Sequence, residues 1–237
     1  MPTDVPARLA ELADRYELPP KAAERLGLLL DLVAEEPSAI TTVRDPAQGV
    51  DLHIADSLVA LELPEVRGAK RIADLGSGGG FPGLVLAIAL SDARVVLVES
   101  VGRKVAFLRR AIERLELAHA EAIQARAEDW PEGIGAHDVV TARAVAPLAV
   151  LVEYAAPLLT IGGSLVAWKG ARSDVEESDG RAAADALGMG ELRLRPVAPF
   201  RSARERHLYL SSKVNPTPRS YPRRPGMARK RPIRAST

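Results

Sequence analysis

The sequence contains no cysteine among its 237 residues. This absence excludes disulfide bonds, a thiol nucleophile and any cysteine-ligated metal site. Four histidines are present, but they lack the spacing of metal ligands and no acidic cluster accompanies them, so we expect no metal centre. The histidines are His53, His119, His137 and His207.

Long apolar runs are also missing. No stretch approaches the roughly 18 apolar residues that a membrane-spanning helix needs, and the N-terminus has no basic segment followed by an apolar one. Because 47% of the residues are apolar, the chain can still bury one good core and a small accessory region. We therefore expect a cytoplasmic, monomeric protein with no membrane partner.

Acidic residues are absent from one end of the chain. Residues 211–237 carry eight basic side chains and no acid, whereas the rest of the chain has 24 basic and 31 acidic residues, a net charge of −7. Because prolines accompany this charge, we expect residues 213–237 to form a basic, flexible tail. The tail could bind nucleic-acid phosphates without regard to sequence, or it could be a solubilising disordered end. The eight residues are Lys213, Arg219, Arg223, Arg224, Arg229, Lys230, Arg231 and Arg234.

The most informative stretch is residues 74–83, which read Asp-Leu-Gly-Ser-Gly-Gly-Gly-Phe-Pro-Gly. One apolar run precedes this stretch and another follows it, which predicts a strand, a glycine loop and a helix. Glycine allows backbone groups and a helix N-terminus to approach a ligand closely. Gly78, Gly80 and Gly83 also satisfy the dinucleotide fingerprint, so the glycines alone do not identify the ligand.

Two acidic residues narrow the choice of ligand. Asp74 lies two positions before Gly76, an arrangement that resembles motif I of S-adenosylmethionine (SAM) methyltransferases, whereas nicotinamide enzymes usually carry an apolar residue there. Glu99 ends the predicted strand 94–99, where a carboxylate can accept the ribose hydroxyls of either cofactor. The alternative is a glycine-rich structural turn with a capping acid.

The rest of the sequence alternates predicted strands and helices, which indicates a mostly parallel, doubly wound sheet with its ligand at the carboxyl ends of the strands. Residues 1–68 form a predicted helical cap, and residues 69–212 form the sheet domain. Helices are predicted at 21–36, 46–63, 84–90, 103–117, 147–159 and 174–187. Strands are predicted at 71–73, 94–99, 120–125, 138–143, 162–168, 192–197 and 207–211, the last two as a closing hairpin.

Eight short stretches closely resemble one family, the 16S ribosomal RNA guanine-N7 methyltransferases called RsmG or GidB. They occur in family order, and the motifs outside the glycine loop are specific to the family. One of them, 141–144, departs slightly from the family's pattern but keeps its arginine, and the first 35 residues match only in helical character. The stretches are 42–46, 53–57, 74–83, 99–108, 126–128, 141–144, 168–170 and 204–208.

The resemblance implies an α/β, Rossmann-like SAM-dependent methyltransferase fold, with a mostly parallel seven-stranded sheet, helices on both faces and an N-terminal helical cap. It implies methylation of N7 of a guanine in the 530 loop of 16S ribosomal RNA, within the small ribosomal subunit or an assembly intermediate. Loss of this activity is then expected to alter streptomycin sensitivity. Guanine N7 carries a lone pair and no proton, so its methylation needs no general base, and the sequence offers no obvious one.

The glycine loop supplies the first group of predicted cofactor contacts. The backbone of Gly76, Ser77 and Gly78 should face the methionine part of SAM, and Phe81 should wall the pocket. A purely structural loop is the alternative. For Glu99, which we expect to bind the ribose, the alternative is a strand-end carboxylate paired to a neighbouring arginine, Arg103.

The resemblance also places contacts to the adenine at Ala127 and Glu128, just after the third predicted strand. Further along the chain, Arg143 ends the fourth predicted strand. Its guanidinium could hold a phosphate or the cofactor carboxylate, or it could form only a local salt bridge. Lys169 follows the fifth predicted strand in the same position, and we assign it to RNA.

Two residues of the predicted cap are candidates for positioning the substrate. His53 and Asp56 are three residues apart on a predicted helix, so they face the same side. A purely structural hydrogen bond explains the pair equally well.

Three other functions compete with ribosomal RNA methylation. A SAM-dependent enzyme could act on another RNA or on a small molecule, although the basic tail and the family motifs argue against this. An NAD-dependent reductase is disfavoured by Asp74 and by the lack of a Tyr-x-x-x-Lys pair. A non-enzymatic RNA-binding module is disfavoured because the glycine loop contains nothing that would disable it.

Overall fold

One sheet organises the chain in the computed structural model, which describes residues 4–235. The strands are β1 (Arg71–Leu75), β2 (Arg94–Glu99), β3 (Ala120–Gln124), β4 (His137–Arg143), β5 (Leu159–Lys169), β6 (Arg193–Pro196) and β7 (His207–Ser212). Their order across the sheet is β3-β2-β1-β4-β5-β7-β6; the first five are parallel and β7 is antiparallel to both of its neighbours. The predicted fold class and the closing hairpin are confirmed.

The strand order reverses next to β1, and this reversal creates the crevice. In register, Asp74 of β1 lies between Leu97 of β2 and Thr141 of β4. From β1 the chain builds outward through β2 and β3, and then returns to add β4 on the other side. Loops that leave adjacent strands in opposite directions open a space at their carboxyl ends, where ligands of this architecture bind.

Helices cover both faces of the sheet. Alternate strand residues point to opposite faces. Ile72 and Leu97 therefore pack toward the cap and the helices that follow β1 and β2, whereas Ala73 and Val98 pack toward the helices that follow β4 and β5. None of the helices within residues 4–235 is long and apolar enough to cross a membrane. The α-helices are α1 (Val5–Arg15), α2 (Ala22–Glu35), α3 (Pro46–Gly49), α4 (Asp56–Leu58), α5 (Pro64–Arg67), α6 (Gly83–Ala89), α7 (Gly102–Arg114), α8 (Leu148–Ala155), α9 (Asp174–Leu187) and α10 (Met227–Lys230).

The cap is helical, but it is less regular than the sequence predicted. The predicted helix 46–63 is an almost continuous run in which a π-helical segment, Val50–Ala55, joins α3 to α4 and a 3₁₀ turn, Val59–Glu62, follows. Single π-turns are rare and are often found at functional sites. Helix α1 was not predicted, although Val5, Leu9 and Leu12 recur at helical spacing and Asp4 caps its start.

The basic C-terminal segment differs from the expected flexible tail. In the structure, residues 213–235 run along α8 and α9 instead of standing apart from the domain. The rest of the chain is acidic and attracts this basic segment. The basic side chains of the segment bind carboxylates and carbonyl groups that would otherwise be buried without partners. Lys213 bonds to the carbonyl groups of residues 156 and 159 at the end of α8, Arg223 to Glu153, and Arg234 to Asp179.

We expect Glu177→Gln to destabilise the fold by about 2 kcal/mol, because Glu177 is buried and accepts charge-assisted hydrogen bonds from Arg172 and Arg181, and one from Tyr209 of β7. These bonds, chiefly that from Arg172, lower the pKa of Glu177 from 4.5 to about 2. The stabilisation is therefore present above pH 4.5 and is lost as the pH falls through 2. Urea unfolding of both proteins between pH 3 and pH 7 measures it.

The exposed Glu191, replaced by Gln, is the matched control and should change the free energy of unfolding by less than about 0.5 kcal/mol. Equal stability of the Glu177→Gln and Glu191→Gln proteins at neutral pH would contradict the account.

Candidate active site

A buried carboxyl group, Asp74, fastens the end of β1 to the start of α6. The backbone N–H of Gly83 donates to its Oδ2 (3.2 Å), and the Thr141 hydroxyl donates to its Oδ1 (2.7 Å). A Cβ atom on Gly83 would lie 2.6 Å from Oδ2, so only glycine allows the helix to begin this close. Burial raises the pKa of Asp74 to about 6, although both hydrogen bonds oppose the shift.

The glycine loop uses its own amides to hold its shape. The N–H groups of Gly76 and Ser77 both donate to the carbonyl of Val98 (2.8 and 3.2 Å), and the N–H of Gly78 donates to Oε2 of Glu99 (3.1 Å). The sequence predicted that such amides would be bare and would face a ligand, and in this respect the structure differs. Within residues 4–235, no donor contacts the carbonyl oxygen of Gly76, which can therefore accept from an ammonium group.

Glu99 sets the position of the glycine loop relative to the loop after β2. Besides the bond to Gly78, its Oε1 accepts from the N–H of Val101 (2.9 Å). Oε1 also accepts from the Ser100 hydroxyl (3.5 Å), so the described partners of Glu99 are two amides and a hydroxyl and not Arg103, the alternative partner that the sequence suggested. Oε2, which within the described part of the chain accepts only from Gly78, has a second lone pair, so Glu99 can also accept from a hydroxyl group in the cavity that it lines. Its role as the ribose ligand stays a prediction.

Three adjoining cavities form a trough along the carboxyl ends of the strands. We call them the inner cavity, the loop cavity and the cap cleft, with volumes of about 240, 240 and 440 Å³. Gly76 borders the first two, Arg143 borders the last two, and Ala144 borders all three. The predicted site residues divide among them: Glu99, Ala127 and Glu128 line the inner cavity, Ser77, Gly78 and Phe81 the loop cavity, and His53, Asp56 and Lys169 the cap cleft.

Arg143 connects the sheet to the cap. One of its terminal nitrogens, Nη1, donates to Oδ2 of Asp56 (2.9 Å) and to the carbonyl of Leu52 (3.1 Å), and Nη2 lies 3.4 Å from Nδ1 of His53. The guanidinium carbon also lies 5.5 Å from the centre of the Phe81 ring. The predicted local salt bridge exists, and it is part of a larger junction that joins both walls of the trough.

The contacts of this junction fix the position of the His53 ring. Its ring stacks on Phe81 with the ring centres 4.2 Å apart. Its Nε2 lies 2.9 Å from the carbonyl of Val43, so Nε2 carries the proton and Nδ1 is the atom that faces Arg143. Burial, followed by the charge of Arg143, lowers the pKa of His53. The ring is therefore neutral, and both of its nitrogens are occupied.

Lys169 lies at the far rim of the cap cleft, at the end of β5. Its Nζ pairs with Oε1 of Glu176 (2.6 Å) and lies 3.3 Å from the carbonyl of Ala146. The same glutamate oxygen accepts from the N–H of Leu148, at the start of α8. Lys169 thus stabilises the helix start, and its predicted contact with RNA stays a prediction.

A larger cavity, of about 700 Å³, meets the inner cavity at Ala125 and extends away from the trough. It reaches from the amino ends of β1 and β2, where Arg71 pairs with Asp138 and Arg94 with Glu121, to the loop after β3. Only two 3₁₀ turns connect β3 to β4, so no helix covers the sheet there. We place the site in the trough because the glycine loop and the buried acids converge there.

Several residues of the trough were not identified as site residues from the sequence. The sequence named Thr141 only as part of the stretch 141–144 and gave it no role. Its hydrogen bond to Asp74 depends on the register of β1 and β4. Tyr154 and Arg229 line the inner cavity without any local signal. Trp168 donates from its indole nitrogen to the carbonyl of Asp56 (2.7 Å), a contact between residues far apart in sequence.

Comparison with known proteins identifies the chain. The sequence model of the family GidB, described as rRNA small subunit methyltransferase G, matches residues 25–208. This chain belongs to that family. It is 40% identical over 221 residues to the ribosomal RNA small subunit methyltransferase G of Rubrobacter xylanophilus, which covers 89% of this chain and 85% of the relative. Identity to the Roseiflexus castenholzii protein of the same name is 43% over 198 residues, or 82% and 83% of the two chains.

A solved structure of a SAM-dependent methyltransferase from Aquifex aeolicus has the same architecture. It matches with a TM-score of 0.55 and 17% identity, and the match covers 76% of this chain and 99% of that one. At this identity the likeness shows the fold alone. The predicted family membership is confirmed, and the protein is a methyltransferase of the ribosomal RNA small subunit methyltransferase G family.

The stretches that carried the resemblance to this methyltransferase family meet at one end of the sheet. Although they are spread over the sequence, seven of them border the cap cleft or the loop cavity. Within residues 4–235, no group of three or more histidine, aspartate or glutamate residues could hold a metal ion. The seven stretches are 42–46, 53–57, 74–83, 99–108, 141–144, 168–170 and 204–208.

We expect Asp74→Asn to remove one component of the pH dependence of stability. The folded-state pKa of about 6 exceeds the ordinary value of 3.8, so the folded state binds the proton more tightly than the unfolded state. The stability that this group contributes is full below pH 3.8 and is lost as the pH rises through 6. Asparagine does not titrate, so the decline should be flatter when urea unfolding is measured between pH 4 and pH 8.

Asp92, whose side chain is 88% exposed, provides the control substitution Asp92→Asn, which should leave the wild-type decline unchanged. The same decline in all three proteins would show that Asp74 does not titrate in this range.

Proposed function

We propose that this chain transfers a methyl group from SAM to N7 of a guanine in the 530 loop of 16S ribosomal RNA, in the small subunit or an assembly intermediate. The observation that carries the proposal is the continuous trough, in which Gly76 and Arg143 each border two consecutive cavities. The inner and loop cavities together have the size of a small-molecule site, and the cap cleft follows directly. A cofactor and a large acceptor can therefore lie end to end.

The residues of the trough fit the parts of SAM. Ala127 and Glu128 would hold the adenine, Glu99 would accept from the ribose hydroxyls, and the free carbonyl of Gly76 would accept from the ammonium group of the methionine end. Phe81 would close the loop cavity on its apolar side. When bound, SAM supplies a methyl group that its positively charged sulfur makes electrophilic.

The cap cleft suits an acceptor that does not need to lose a proton. Guanine N7 is a hydrogen-bond acceptor with a free lone pair, so its attack on the methyl group requires no base. His53 is neutral with both nitrogens occupied, and Asp56 is paired with Arg143. The contribution of the cleft is therefore alignment, which can lower a barrier by several kcal/mol when the reacting atoms are held in line.

Part of the C-terminal segment remains available for RNA. Four of its basic residues have neither an ion pair nor a side-chain hydrogen bond among residues 4–235, whereas Arg223 and Arg234 are paired with acids of the domain, and Lys213 and Arg229 bond carbonyl groups. Each RNA phosphate that such a residue neutralises should steepen the dependence of binding on salt. The four residues are Arg219, Arg224, Lys230 and Arg231.

We expect Gly76→Asp to abolish SAM binding and to lower methyl transfer to small subunits that lack the modification by at least about a hundredfold. A Cβ at this position would lie 2.8 Å from Val145, and the side chain would enter the trough. The measurements are calorimetric titration with SAM and incorporation of label from methyl-labelled SAM, with a thermal melt to confirm folding.

Gly135→Asp is the matched control, because Gly135 has a similar φ of +62° but open space around it and lies outside the trough. It should retain binding and transfer within about twofold of wild type. Tight SAM binding by the wild type without label on subunits or on naked RNA would rule out the proposed substrate and would favour another RNA or a small-molecule acceptor.

We also expect Arg143→Lys to lower kcat on small subunits by about tenfold or more and to change the affinity for SAM much less. Lysine cannot reproduce the fork that bonds Asp56, Leu52 and His53 together, so the cap cleft loses its alignment while the inner cavity stays intact. Single-turnover transfer and SAM titration separate the two effects.

Arg44→Lys is the control for this substitution, since Arg44 also bonds backbone carbonyls, those of Ala34 and Glu36, but does not line the trough. A larger loss of SAM affinity than of kcat in Arg143→Lys would assign Arg143 to the cofactor carboxylate instead.

A further inference from the structure

The segment 221–235 lies beside the inner cavity, which Arg229 lines. Ala228 is buried, and α10, which contains it, packs on α8. Arg223 is anchored by a two-point ion pair to Glu153, a carboxylate that is only 2% exposed. Arg234 anchors the far end at Asp179 (3.1 Å). The segment is thus fixed on both sides of the residues that face the cavity.

One predicted adenine contact also fastens this segment. Oε1 of Glu128 accepts from the N–H of Gly226 at 2.8 Å, and Glu128 lines the inner cavity. Gly226, the residue before α10, has a φ of +82°, a conformation that favours glycine. The position of Glu128 in the cavity therefore depends on the C-terminal segment.

Arg229 completes the wall of the inner cavity. Its Nη2 donates to the carbonyl of Val145 (2.8 Å), in the loop after β4, and its side chain lines the cavity next to Tyr154. Burial, and then the charge of Glu128, raise the pKa of Tyr154, while Arg229 acts in the opposite direction. Glu128, Tyr154 and Arg229 therefore form one polar cluster, to which the C-terminal segment contributes the positive charge.

We propose that the segment 221–235 is the outer wall of the cofactor pocket, and that Arg229 and the Glu128–Gly226 bond position the adenosyl group of the ligand. This inference rests on the proposed function, since it takes SAM as the ligand. It divides the basic C-terminal residues into two sets with different tasks. Arg223, Arg229 and Arg234 hold the wall in place, and Arg219, Arg224, Lys230 and Arg231 remain for RNA.

Calorimetric titration of the full-length wild type, Arg229→Ala and Lys230→Ala with SAM and with S-adenosylhomocysteine tests the proposal. Removing Arg229 removes the bond to Val145 and opens the wall, so we expect about five- to tenfold weaker binding of both ligands. Lys230 is the matched control, because it lies on the same short helix and is exposed like Arg229, but it neither lines the cavity nor bonds to Val145. Its loss removes the same charge and should change affinity by no more than about twofold.

Hydrogen exchange provides a second readout that does not depend on a variant. If the segment is a wall of the pocket, bound S-adenosylhomocysteine must stabilise it, because a segment that strengthens binding of a ligand is itself stabilised by that ligand. Backbone amides of residues 226–231 in the wild type should exchange more slowly when the ligand is present.

The outcomes separate this inference from the proposed function. Weaker binding in Arg229→Ala alone, together with slower exchange in the segment, supports the wall. Wild-type affinity in Arg229→Ala, an equal loss in Lys230→Ala, or unchanged exchange would overturn the wall and leave the proposed function in place. Failure of the wild type to bind SAM would overturn both.

Discussion

The buried carboxyl group of Asp74 is the interaction on which the site depends. It accepts from the first amide of α6 and from Thr141 of β4, so one side chain fixes the glycine loop, the helix and the neighbouring strand together. Gly83 is required by the same contact, because any side chain there would collide with the carboxyl group. The raised pKa of Asp74 is the cost of burying an acid at this point. In return, the loop that borders two cavities is held between β1, β4 and α6.

The N-terminal cap and the C-terminal segment close the trough that the sheet leaves open at both ends. On one side, the cap reaches the trough through Arg143, which bonds His53 and Asp56 of the irregular helical run. On the other side, the C-terminal segment reaches it through Glu128 and Arg229. In both cases a polar junction joins a segment to the end of a strand or to the loop that follows it. The sheet alone would leave the trough open at both ends.

Local sequence signals predicted the sheet, the glycine loop and most helices, because strand periodicity and glycine spacing are properties of neighbouring residues. Contacts between distant residues were not predictable in this way. The partnership of Thr141 with Asp74 requires the strand register. The packed C-terminal segment is the clearest case: its composition is that of a disordered chain, and its order comes from buried acids such as Glu153 on other elements. Likewise, no pattern among neighbouring residues shows that the amides of the glycine loop form hydrogen bonds within the protein.

Mapping the methylated atom tests the central claim most directly. Small subunits from a strain that lacks the gene would be incubated with the protein and SAM, and the 16S ribosomal RNA would then be digested and analysed by mass spectrometry and by cleavage specific for 7-methylguanine. The account predicts one new methyl group, on N7 of a guanine in the 530 loop. A methyl group on another atom, or on a nucleotide outside that loop, would contradict it.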